Sequence, residues 1–420
     1  MKILILGLNY APERIGIAVY TTGMAEALAA AGHEVRVVAA QPYYPAWKIT
    51  PGHNALAFSR ETRNGVEVLR VPHYIPAIPT GKRRLLHHAS FAMTALLPML
   101  WNGLAWRPDV VVAIAPSLVA APAAALAAAL GGAQSWLHIQ DFEVEAAFAT
   151  KLLSEGNWLG RLARHFERAM LNAFSRVSSI SPEMCRKLIA KGVPAERVVE
   201  FRNWTDVDRI APLKGPSPYR AEWGVTARHV ALYSGNIANK QGVEIVVDAA
   251  RRLAGRKDLS FVICGEGPNR AALEARAAGL DNLQFRDLQP AEKLNDLVGL
   301  ATIHLLPQVA GAADLVLPSK LTNMLASGRP VVATAARGTG LAREVEGCGL
   351  RVPPGDTEGL AEAIATLVDD DALHAKLSTA ARRRAEDHWS GTTILARFET
   401  ELHDLRTETQ PGEPIKTPGE

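Results

Sequence analysis

Val316–Thr334, VLPSKLTNMLASGRPVVAT, reads as a turn, a helix and a buried strand in one unbroken stretch. Pro318 stands near the first helical position, where its missing N–H removes nothing the helix would use. The helix runs Leu321–Ser327, stops at Gly328, and gives way after Pro330 to the apolar run Val331–Thr334. A glycine stop followed by an apolar strand is the αβ connection of a parallel sheet. The start of that helix offers unsatisfied N–H groups, the Ser319 hydroxyl and the Lys320 ammonium to one anion, and a diphosphate suits such a set. The plainer reading is an ordinary helix start with a capping serine and a solvated lysine.

Three more units of the same kind surround it. Val230–Ser234 is a strand running into Gly235-Asn236, and Lys240 precedes the helical stretch Val243–Leu253. Phe261–Cys264 is a strand followed by Gly265-Glu266-Gly267, where two glycines permit close backbone approach to a ligand. Ala301–Pro307 supplies another strand. Open parallel sheets bind ligands outside the carboxyl ends of their strands, so these loops are expected to share a crevice.

The amino-terminal half opens on the strand Lys2–Gly7, a loop through Pro12, Arg14 and Gly16, a helix over about Ala18–Ala31 and a strand Val35–Ala39. It lacks the G-x-G-x-x-G of a dinucleotide site. Ser135–Asp141 is a strand with a polar end. Asp141 can take a proton from a hydroxyl or can cap the next helix, and both readings stay open. His138, on the same strand, is either an acceptor-side group or a packed histidine. Lys82-Arg83-Arg84 and His87-His88 lie beside the apolar run Phe91–Trp101. That pattern fits an interfacial helix on anionic lipid, or a core helix with a solvated basic end. Pro98 and the modest apolar length argue against a spanning helix, and Leu118–Leu130 is too short to span.

Composition bounds the rest. The 420 residues, 48% of them hydrophobic, suffice for two α/β domains of about 200 residues each. A formal charge of +3 without an aromatic-interleaved basic stripe gives no reason to expect nucleic acid. The 3 cysteines, Cys185, Cys264 and Cys348, are isolated, and the chain has no C-x-x-C, no H-E-x-x-H and no Asp/His cluster at metal-ligand spacing. Asp206-Val207-Asp208 forms a D-x-D, a spacing of acidic residues that can hold a metal. The first apolar run is too short for a signal peptide, so a cytoplasmic location is expected. Proline and glycine cluster over Asn203–Ser217, where the domain break is expected: residues 1–205 form one domain, 206–386 the other. Asp387–Arg406 reads as a closing helix and 407–420 as a disordered tail.

The ordered series SGN with KQ-G, ICGEGPNRAALE, PSKLTNMLASGRPVVAT and GLRVPPGD resembles the donor half of glycosyltransferase family 4. LGLNYAPERIGIAVYTTGMAEALAAAGHEVRVVAAQPYYP resembles the opening of its WcaI-like branch, named for colanic-acid (bacterial exopolysaccharide) assembly. The match covers about the first 390 residues. The resemblance implies the GT-B fold: α/β, two Rossmann-like doubly wound parallel-sheet domains facing across a cleft, the last helix crossing back to the first domain. It implies a retaining sugar transfer from a nucleotide-diphosphate sugar, without cofactor or metal, to a lipid-linked saccharide at the inner face of the cytoplasmic membrane, with peripheral contact through 82–101. By position it assigns Lys320 and Lys240 to the leaving diphosphate and Asp141 to the attacking hydroxyl. The donor is then expected against Gly235, Asn236, Gly265, Gly267, Leu288, Asp314, Leu317, Pro318, Ser319 and Asn323, with Arg14 and Gly16 over the phosphates; Arg14 reads equally as a solvated loop charge.

The chain departs from the family where two glutamates usually flank the phosphate turn, for it has Leu315 and Asn323 there. Asn323 still offers hydrogen bonds to ribose hydroxyls; Leu315 offers none to a sugar, although Asp314 adjoins it. A less polar sugar such as fucose fits this departure. So does a sugar-nucleotide-binding partner without activity, and an epimerase of the same fold is a third possibility. Near the first cation, Asn236 and Gln241 stand where the family commonly has Arg and Lys, with Lys240 one residue earlier.

Overall fold

The computed structural model describes residues 1–13, 16–149, 157–238, 241–309 and 319–408. The chain divides into two compact units, Met1–Arg202 with Leu395–Glu420, and Asn203–Ile394.

The first unit is built on an eight-stranded sheet of β1 (Lys2–Gly7), β2 (Glu34–Ala40), β3 (Ser59–Arg63), β4 (Val66–Val71), β5 (Val110–Ala115), β6 (Gln134–Ile139), β7 (Arg176–Ser179) and β8 (Val198–Glu200). Their order is β3-β4-β2-β1-β5-β6-β7-β8, parallel throughout except for the antiparallel β3–β4 edge. Every residue of β5 is buried, as a strand covered on both faces must be. The helix Gly81–Trp101 buries His87, Phe91, Ala95 and Met99, one residue per turn. It continues into Asn102–Trp106, and Gly103 lets it approach the alanine-rich helix Ala121–Gly131, where a Cβ on Gly103 would meet the Ala127 carbonyl oxygen at 2.5 Å.

The second unit carries a six-stranded, all-parallel sheet: β9 (His229–Ser234), β10 (Leu259–Cys264), β11 (Leu283–Arg286), β12 (Ile303–Leu306), β13 (Val331–Thr334) and β14 (Gly349–Val352). Its order, β11-β10-β9-β12-β13-β14, reverses winding direction between β9 and β12. The switch in the first sheet falls likewise between β1 and β5. At such points adjacent loops leave in opposite directions and open a crevice.

The expected closing helix needs correction. The closing helix spans Gly391–Thr407, because the preceding helix runs on from Asp371 to Trp389. Thr205 interrupts them: its N–H donates to the Trp389 carbonyl and its carbonyl accepts from the Gly391 N–H. Two arginines of that preceding helix, Arg382 and Arg384, hold neighbouring backbone. The Arg382 guanidinium donates to the carbonyls of Val207, Ile210 and Ala326, and Arg384 to those of Arg343, Glu344 and Glu346.

Candidate active site

In the second unit the switch point is marked by Lys320, the first residue of the helix Lys320–Ala326. Its ammonium lies 3.0 Å from the Tyr233 hydroxyl, on β9, and 4.2 Å from that ring's centroid. The Tyr233 hydroxyl in turn donates to the Asn236 carbonyl at 2.5 Å, so the loop after β9 and the lysine are tied together. No carboxylate is paired with Lys320 among the described residues; burial pushes its ammonium down to about 8. A half-buried cation without an anionic partner suits an arriving phosphate.

The glycines explain how a ligand's backbone cradle can form here. Gly235 has φ 139 and Gly265 φ 151, a region open to glycine. A Cβ on Gly265 would lie 1.9 Å from the Gly235 carbonyl oxygen, and one on Gly267 2.1 Å from that of Ile237. The loops after β9 and β10 therefore stack backbone on backbone. Arg270 locks the second of them, pairing with Glu266, Glu274 and Asp287. Leu288, next to Asp287, is exposed.

The helix beginning at Lys320 is short, so its dipole adds little and the ammonium is the main charge. Ser319 makes no capping hydrogen bond and is exposed. Asn323 Oδ1 accepts from the Thr205 hydroxyl at 2.5 Å, which leaves its NH2 group to serve a ligand. Gly328 closes the helix at φ 67. Arg14, Lys240, Asp314, Leu315, Leu317 and Pro318 lie outside the described residues.

In the first unit Asp141 is exposed just beyond the carboxyl end of β6. The helix that follows starts at Glu143, and no capping bond from Asp141 is seen among the described residues. Glu143 does the anchoring: its carboxylate accepts from the Ser117 N–H at 2.8 Å and the Leu118 N–H at 2.5 Å. Burial raises the Glu143 carboxyl above the usual range, against those two N–H groups, and the Asp141 charge adds to the rise. His88 Nδ1 stands 3.9 Å from Glu143 Oε1, and burial beside Arg84 pushes this imidazole down to about 4. Arg84 also stacks over Trp47, 5.9 Å from its centroid. Gly16, at φ 64, starts the helix Ile17–Ala30 after β1, and Glu13 in that loop accepts from the Tyr43 and Tyr44 N–H groups, each at 2.8 Å.

His138 is not presented to any acceptor. It is buried, bonds the Ser178 hydroxyl at 2.8 Å and packs on Phe201, and desolvation pushes it down to about 3. The acceptor-side reading gives way to the packed one. Sequence reasoning missed Glu143, and it took Arg84 and His88 as part of a basic cluster, either lipid-facing or the solvated end of a core helix. An acidic residue directly after the polar end of β6 was the one available signal. The D-x-D is equally local: Asp206 Oδ1 accepts from the Asp208 and Arg209 N–H groups and so caps a turn.

Residues 16–204 match the model of the glycosyl transferase 4-like domain, and residues 228–370 that of the glycosyl transferases group 1. Over 416 residues the chain is 40% identical to a protein of Escherichia coli named as a colanic acid biosynthesis glycosyl transferase, WcaI, covering 97% of this chain and 100% of that one. This chain is a family 4 glycosyltransferase. The glycosyltransferase has the GT-B fold: it aligns with sucrose-phosphate synthase from Thermosynechococcus elongatus at TM-score 0.71 and 18% identity, over 97% of this chain and 99% of that one. It also aligns with Anabaena HepE, solved in complex with UDP-glucose, at TM-score 0.64 and 17% identity, over 96% and 100%. Within the glycosyltransferase, the matched group 1 region holds Lys320, Gly235 and Gly265, and the matched 4-like region holds Gly16 and Asp141.

Proposed function

We propose that this glycosyltransferase moves a sugar from a nucleotide-diphosphate sugar to a hydroxyl of a lipid-linked saccharide, with retention at the anomeric carbon, in the assembly of a colanic-acid-like bacterial exopolysaccharide. The observation that carries the reading is Lys320, a half-buried ammonium with no carboxylate partner among the described residues, set at the β9/β12 switch beside two stacked glycine loops. Negative charge that develops on a leaving diphosphate meets a cation already in place, which is where preorganised electrostatics lower a barrier most. With Lys240 as a second cation, the reaction needs no metal at the reacting centre. Asp141 orients the attacking hydroxyl or accepts its proton. Leu315, where the family has a hydrogen-bonding residue, favours a deoxy sugar such as fucose. The name of the E. coli relative supports the exopolysaccharide assignment, and the UDP-glucose in HepE supports the donor class.

The acceptor's lipid supports a site of membrane contact on the first unit. The outer face of Gly81–Trp101 leaves Leu86, Met93, Leu97 and Trp101 exposed, with Lys82 and Arg83 exposed at its start. Apolar side chains beside cations suit the surface of an anionic bilayer. No helix among the described residues is long and apolar enough to cross one.

The test is thermal stabilisation by UDP-glucose, UDP-galactose, GDP-fucose and GDP-mannose, followed by a transfer assay with the donor that binds. Lys320→Ala should lower turnover by roughly two orders of magnitude, about 3 kcal/mol of transition-state stabilisation, with its melting temperature retained. Wild-type turnover in that variant sinks the assignment. Donor isomerised without acceptor would make the protein an epimerase, and binding without transfer or hydrolysis would make it a non-catalytic partner.

A further inference from the structure

We propose that His33, Glu399 and His403 bind one divalent transition-metal ion, which ties the last helix to the amino edge of the eight-stranded sheet. His33 lies in the turn that precedes the first residue of β2, Glu34. Glu399 and His403 are one helical turn apart on Gly391–Thr407 and so share a face. The fold brings these groups together across a separation of 366 residues: His33 Nε2 is 3.0 Å from Glu399 Oε1. The His33 and His403 ring centroids are 5.6 Å apart, and one ligand atom from each of the three residues lies within 4.8 Å of the others. Among the described residues no other group of His, Cys, Asp and Glu side chains converges in this way.

The His33 side chain is 6% exposed and that of Glu399 32%, so two ligands are held in place by the packing around them. The Met1 amino group, 3.1 Å from His33 Nδ1, fixes the ring so that Nε2 faces the carboxylate. His403 is exposed and completes the set from the solvent side. Two imidazole nitrogens and one carboxylate oxygen match zinc, nickel or copper, with water in the open position, and not the oxygen-rich shells of magnesium or calcium. The ion would take the Nε2 lone pair with the ring proton carried on Nδ1 toward the Met1 amine, and one proton of the amine and imidazole pair would pass to solvent. His33 stands at the amino ends of the strands, whereas Asp141 stands at their carboxyl ends. The ion's role is therefore structural and lies apart from sugar transfer.

An ion pair between His33 and Glu399, with His403 merely packed nearby, is the rival account, and His403→Ala separates the two because it leaves that pair intact. The full-length chain without a polyhistidine tag is stripped with a chelator, titrated calorimetrically with Zn2+, and melted with Zn2+ and with Mg2+. Co2+ serves as the spectroscopic probe. The expected result is one equivalent of Zn2+ bound, a melting temperature raised by Zn2+ and not by Mg2+, and a visible Co2+ d–d band. His403→Ala should weaken Zn2+ binding about tenfold or more and abolish the band, with the metal-free melting temperature unchanged. His403→Gln keeps bulk and hydrogen bonding without the imidazole, and it decides the matter if the alanine variant is less stable. Equal Zn2+ affinity and stoichiometry in wild type and variants, or no Zn2+ binding by wild type, overturns the proposal.

Discussion

A Cβ on Gly235 would lie 2.8 Å from the Lys320 ammonium nitrogen, so the glycine holds open the space the cation occupies. Gly235 follows β9 and Lys320 opens the helix Lys320–Ala326 that comes after β12, and each makes the other's position usable.

Substitution at the two stacked glycines should therefore have different outcomes. Gly235→Ala meets the far end of a flexible lysine, whereas Gly265→Ala drives a methyl group into the Gly235 carbonyl. Both also pay backbone strain of about 1–3 kcal/mol at their positive φ. The melting temperature should fall further for Gly265→Ala. Gly235→Ala should lose donor affinity out of proportion to its stability, which a calorimetric titration with the nucleotide sugar would read.

Lys320 should give donor binding a specific pH dependence. Its folded value, near 8, is below that of a free lysine, so unfolding takes up a proton between the two values and stability gains from rising pH across that window. A bound diphosphate would hold the proton on. Affinity should thus be flat below pH 8 and weaken above it, by at most about tenfold per pH unit. Nucleotide Kd measured from pH 6 to 9.5, with Lys320→Met as reference, checks this. A slope shared by both proteins would assign the effect to another group.

Asp141 and Glu143 should separate chemistry from architecture. Asp141→Asn removes an exposed carboxylate that supports no observed cap, so turnover should drop with the melting temperature and donor KM nearly unchanged. Glu143→Gln loses charge-assisted bonds to Ser117 and Leu118, and Ser117 is held at φ 102. That should lower stability by about 1–3 kcal/mol, readable in a denaturant melt.

The outer stripe of Gly81–Trp101 should matter for membranes alone. Replacing Met93, Leu97 and Trp101 together by serine should reduce cosedimentation with phosphatidylglycerol vesicles several-fold and leave donor binding as it was. Full retention on the vesicles would move the contact elsewhere.

Much of this protein is legible in its chain because strands and helices of a parallel sheet are written locally. Unbroken apolar runs such as Val110–Ala115 and glycine stops such as Gly328 are decided within a few residues by burial and backbone sterics. Runs of this kind placed strands such as Lys2–Gly7, Val230–Ser234 and Val331–Thr334, and with them the helix start at Lys320. The break at Ser390 was not legible, since it depends on Thr205 claiming backbone groups that would otherwise have continued a helix.

The chain by itself determined the alternation of strand, turn and helix, and with it the family. Only the tertiary structure decided which side chains meet: Lys320 with Tyr233 across 87 residues, Glu143 with the Ser117 backbone across 26, and His33 with Glu399 across 366. Those meetings follow from strand order and parallel register, which join segments through crossovers whose lengths no sequence spacing records.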